Sequence, residues 1–107
     1  MRTIVSQTEL KLFHDAMEVK GVAHMFRKCS EEAGEFIAAL SHYQDGKISF
    51  DALQSEMADV SIVVTQLAHY MGNMDYESTL DLKMNEFMLK TKRAIEEKSQ
   101  MEALITI

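Results

Sequence analysis

Proline is missing from the 107 residues, and glycine occurs only four times. Few positions therefore force a turn or break a helix. Cysteine occurs once, at Cys29, which excludes an intrachain disulfide and a cysteine-built zinc cluster. No apolar run is long enough to span a membrane, and the first residues lack the basic-then-apolar pattern of a signal peptide. No membrane partner is expected, and the expected location is cytoplasmic. No stretch alternates convincingly between apolar and polar residues and no segment repeats, so strands are not expected. Positive charge is in deficit too. Eleven Lys and Arg face 17 Asp and Glu, for a net charge of −6. A general nucleic-acid binder is more often basic, so no nucleic acid polymer is expected as a partner. A nucleotide stays open as a ligand, because a bound metal can invert the local sign.

What the chain does contain favours helix. Hydrophobic residues make up 47% and charged residues 26%, the balance of a globular protein. Nine methionines accompany many Ala, Leu, Glu and Lys, all good helix formers. The length is that of a single domain, residues 1–107, with one modest core. Four helices are expected. The first runs from about Gln7 to Val19, with Ser6 and Glu9 at capping-box spacing. After a break at Gly21, the second runs from about Val22 to Tyr43. The "QDGK" turn at 44–47 follows, and Ser49 can cap a third helix that reaches about Met71. Gly72 and Asn73 supply its stop, and the fourth runs from about Tyr76 to beyond Lys98. Beyond about residue 98, "ALITI" reads as a tail or an interface segment. Leu53, Met57, Val60, Val64, Leu67 and Met71 recur at spacings of three and four, as one helix face requires. Short loops make neighbours antiparallel, so the expected fold is an all-α antiparallel four-helix bundle.

The acids are placed where a core should be. "EEAGE" (31–35) and "EMAD" (56–59) both interrupt apolar runs. At about 100° per residue, Glu32 borders the apolar arc of the second helix and Glu35 lies farther round on the same side. Glu31 points roughly opposite. Glu56 lies inside the edge of the apolar arc of the third helix, and Asp59 just beyond it. A single ExxE is ordinary solvated surface. Here two such pairs match across a hairpin. Indices 32 and 59 sum to 91, as do 35 and 56, and half of 91 falls within the 44–47 turn. Four ionised carboxylates gathered this way repel unless protons or a counter-ion intervene. A hard divalent cation resolves the conflict, and magnesium in particular takes oxygen ligands and phosphates. Such a site suits metal-assisted phosphate chemistry.

E-E-x-x-E followed, after about twenty residues, by E-x-x-D resembles the signature of the MazG-like all-α nucleoside triphosphate pyrophosphohydrolases. The likeness extends over roughly 10–93. It implies Mg²⁺-dependent cleavage of an NTP or dNTP between the α and β phosphates, giving a monophosphate and pyrophosphate. By that resemblance Glu32, Glu35, Glu56 and Asp59 hold magnesium, with manganese as a possible substitute. Glu31 and Glu35 are the candidates for catalysis, and which carboxylate activates the water stays open. The family is usually oligomeric, and four helices are too few to enclose a nucleotide, so a homodimer or homotetramer is expected. Clearing or tuning a nucleotide pool would be the task.

Lys83, Lys90 and Arg93 form a basic stripe on the fourth helix that could reach phosphates. The family often has a lysine with an asparagine four positions on; here Phe87 stands four after Lys83, with Asn85 nearby. His14 and Phe13 could line a base pocket. Cys29 lies on an apolar arc and is expected to be buried and unreactive. None of the four histidines lies three residues after a glutamate, which disfavours a di-iron bundle. The rival outside enzymology is a helical interaction module whose acidic patch takes a basic partner.

Overall fold

A computed structural model describes residues 6 to 106. Every regular element among them is an α-helix: α1 (Gln7–Lys20), α2 (Val22–Gln44), α3 (Phe50–Met71) and α4 (Asn73–Thr106). No helix among the described residues is long and apolar enough to cross a membrane. The chain divides into two compact units, Met1–Asn73 and Met74–Ile107.

The first unit holds α1 to α3. Ser6 opens α1 with the full capping box: its hydroxyl accepts from Glu9 N at 3.1 Å, and its own N–H donates to Glu9 Oε1 at 3.0 Å. Gly21 separates α1 from α2 at φ +88°, ψ 159°, a conformation open essentially to glycine alone. The α2–α3 turn tightens through Gly46 at φ +73°, and Lys47 N donates to His42 O at 2.8 Å. Ser49 then caps α3 by accepting from Ala52 N at 3.1 Å.

α2 and α3 pack along their length as a hairpin, and α1 packs against α2. Tyr43 meets Phe50 edge-on at 6.2 Å beside the turn. Farther from the turn, Cys29 Sγ donates to Val63 O at 3.5 Å, and Phe26 meets Tyr70 edge-on at 6.2 Å. Gln66 ties α1 to α3 by donating its side-chain N–H to Phe13 O at 3.3 Å. The core is small. Met25, Ala39, Leu53, Val63 and Ala68 are the buried apolar residues among those described. Cys29, Ala33, Phe36, Val60, Val64 and Leu67 are half-buried, while Val22, Leu40, Met57 and Met71 of the expected arcs are exposed.

The second unit is essentially α4. It starts three residues earlier than the spacing predicts and continues through most of "ALITI" as helix. Lys83 pairs with Glu86 at 3.5 Å, and Lys98 with Glu102 at 3.9 Å. Its apolar side chains Leu82, Met84, Phe87, Leu89, Ile95 and Leu104 are exposed.

Candidate metal centre

The hairpin brings three glutamates together. One carboxylate oxygen each from Glu32, Glu35 and Glu56 lies within 4.8 Å of the others. Helix spacing explains the α2 pair, since residues three apart share a face. The α2–α3 packing supplies Glu56. Glu32 is 7% exposed, the one buried charged residue among those described, and Glu56 is half-buried. Glu35 stands at the exposed lip.

The electrostatics are unbalanced. Oε2 of Glu32 and Oε2 of Glu56 are both buried, and neither has a hydrogen-bond donor. A buried polar atom left unpaired costs about 1–3 kcal/mol, and more when charged. The charge of Glu32 pushes the Glu35 carboxyl above its ordinary range, helped by desolvation and by Glu56. Lys28 is the cation at hand. Its Nζ lies 3.2 Å from Glu32 Oε1 and 3.6 Å from Glu31 Oε2. Those contacts, Glu32 foremost, raise the Lys28 ammonium above its usual value.

The predicted residues distribute unevenly. Glu32, Glu35 and Glu56 converge as expected. Asp59 is exposed, one turn along α3 from Glu56, and is outside the set of three. Glu31 is exposed and paired with Lys28. His14 is exposed on α1, whereas Phe13 is half-buried with its ring 6.3 Å from His69. Lys83, Lys90 and Arg93 lie exposed on α4, in the second unit. Cys29 is half-buried rather than buried, and desolvation raises its thiol above the ordinary value, away from nucleophile chemistry. Lys28 lies one turn before Glu32 in the sequence, and the fold sets its ammonium on both Glu31 and Glu32.

The donor set consists of carboxylate oxygens alone, with no imidazole or thiolate. Hard cations such as Mg²⁺ and Mn²⁺ prefer such ligands, while zinc and iron sites usually recruit nitrogen or sulfur. The two donorless buried oxygens fit the same group, because each has a lone pair to give.

Comparisons with known protein families, with curated proteins and with solved structures each return no match.

Proposed function

We propose that this protein is a Mg²⁺-dependent nucleoside triphosphate pyrophosphohydrolase of the MazG-like type. The observation that carries the proposal is the convergence of Glu32, Glu35 and Glu56, with buried donorless oxygens on Glu32 and Glu56. Those three residues would hold the metal, and Asp59, one turn from Glu56, would join as a fourth ligand or hold a bound water. Bound there, the metal would neutralise phosphate charge and polarise a phosphate oxygen.

The chain supplies the rest. Glu35 stands exposed at the lip of the cluster, where a carboxylate can meet the attacking water. It would take a proton from the attacking water as that oxygen bonds to the α-phosphorus. The bond from the α-phosphorus to the bridging oxygen breaks, and pyrophosphate leaves with the electron pair. Glu31, anchored by Lys28, would orient the same water from outside the cluster. The cations Lys83, Lys90 and Arg93, with His14, are proposed to reach the nucleotide once subunits assemble.

We propose assembly as a homodimer or homotetramer, and the thin core supports that reading. No large side chain is fully buried among the described residues, while Phe26, Ile37, Phe50, Met57 and Ile62 of the first unit are exposed. So many large apolar side chains in the open mark an interaction surface. Pyrophosphate release from a panel of NTPs and dNTPs, in Mg²⁺ and in EDTA, tests the activity. Release that depends on the metal supports it. No release from any member by folded protein overturns it and favours the acidic interaction module.

A further inference from the structure

A cavity of about 180 Å³ opens where α1 hands over to α2. Met17 and Met25 belong to its apolar lining, and Lys20, His24, Lys28 and Gln66 supply its polar groups. The break at Gly21 makes this convergence: it ends α1 just after Lys20 and starts α2 so that His24 and Lys28 follow at four-residue intervals on one face. The cavity shares Lys28 with the glutamate cluster, so the two adjoin.

Resting on the pyrophosphohydrolase reading, we propose that this cavity receives the pyrophosphate end of the triphosphate substrate and holds it as the leaving group. Size excludes the whole nucleotide, since pockets that enclose a complete small-molecule ligand run to roughly 300–1,000 Å³. The cavity is of a size to take one end of the substrate. Charge decides which end. Two lysines and no acid line the cavity, in a chain whose net charge is −6. Lysine serves phosphate as a compact point charge with three donors. The Gln66 side chain is anchored by its bond to Phe13 O and keeps its remaining N–H to donate.

Lys28 links the two halves of the site. Without a metal it sits on Glu32 and Glu31. With Glu32 engaged by a divalent cation, the ammonium loses that partner and is free for a phosphate oxygen in the cavity. Pyrophosphate binding should therefore depend on the metal and on this lysine. Lys20 is the cleaner probe, because it is exposed and none of the ion pairs described above involves it.

The test is calorimetric titration of the full chain with inorganic pyrophosphate in Mg²⁺, for wild type, Lys20→Met and Lys20→Arg, beside titration with uncharged nucleosides. Lys20→Met should weaken pyrophosphate about tenfold, the effect of one charged hydrogen bond. Lys20→Arg should restore most of it, and nucleoside binding should not move. Unchanged pyrophosphate affinity in Lys20→Met, or a loss confined to nucleosides, would overturn the assignment. The two proposals fail separately. Turnover with Lys20-independent pyrophosphate binding sinks the cavity alone. Lys20-dependent binding without turnover of any nucleotide sinks the hydrolase and the leaving-group role with it, and leaves the cavity as a pyrophosphate-binding site.

Discussion

Lys28 and Glu32 form an incomplete pair: the ammonium lies 3.2 Å from one carboxylate oxygen, while the other oxygen is buried with no donor. One turn of α2 separates the residues, so the contact costs little to form. It also means that the lysine stands where a metal would compete for Glu32. Lys28→Met should therefore tighten Mg²⁺ binding by up to about fivefold, the ceiling for a half-exposed ion pair. The same change should lower stability in EDTA, because the glutamates lose their counter-ion. Magnesium titration followed by calorimetry, beside melting curves in EDTA, checks both directions.

Glu35 gives a pH dependence of definite sign. Its carboxyl is raised in the fold, with the Glu32 charge as the leading cause. The folded state therefore binds that proton more tightly than the unfolded chain does. Ionised Glu35 costs stability at neutral pH, and the cost is relieved as pH falls through the carboxylate range. Without metal, Glu35→Gln should melt higher than wild type at pH 7, and the gap should close toward pH 4. Magnesium should reverse the order at pH 7, since only the wild type has the third carboxylate. A melting series across pH, with and without Mg²⁺, reads out both effects.

The acid cluster was largely legible because two periodicities crossed. The three-residue spacing put Glu32 and Glu35 on one face, and the turn at 44–47 set which α3 residues lie level with them. Asp59 shows the limit. Index sums fix height along a hairpin but not rotation about each helix, and Asp59 is turned to solvent. The cavity was missed for a related reason. Lys20 and His24 belong to different helices joined at Gly21, and Gln66 enters from α3 by a contact 53 residues long in sequence. On α4, Leu80, Met84 and Phe87 recur at spacings of four and three, yet Met84 and Phe87 are exposed. Periodicity names a face without naming what covers it.

Metal binding should itself stabilise the fold. At a hundredfold excess over Kd, Mg²⁺ should add about 2.7 kcal/mol, on the order of 10 °C in Tm for a chain of this size. Glu32→Gln and Glu56→Gln should abolish most of the rise. Asp59→Asn should remove only part of it, in keeping with its exposed position. Differential scanning calorimetry with Mg²⁺ and with Mn²⁺ makes the comparison.

Gly21→Ala probes the break that shapes the cavity. No atom lies within 4 Å of an added Cβ, so crowding is not the issue. The φ of +88° with extended ψ is the difficulty, and strain of this kind costs roughly 1–3 kcal/mol. The variant should melt lower, and its pyrophosphate affinity should drop as Lys20 and His24 shift apart. Chemical denaturation paired with pyrophosphate titration tests this.

The most direct measurement is hydrolysis of a reactive dNTP or NTP in ¹⁸O-labelled water with Mg²⁺, wild type beside Glu35→Gln, with products resolved by phosphorus NMR and mass spectrometry. Attack on the α-phosphorus puts one ¹⁸O in the nucleoside monophosphate and none in the pyrophosphate, with EDTA and Glu35→Gln both removing turnover. Label in the pyrophosphate, release of orthophosphate with a diphosphate, or full turnover in EDTA would contradict it.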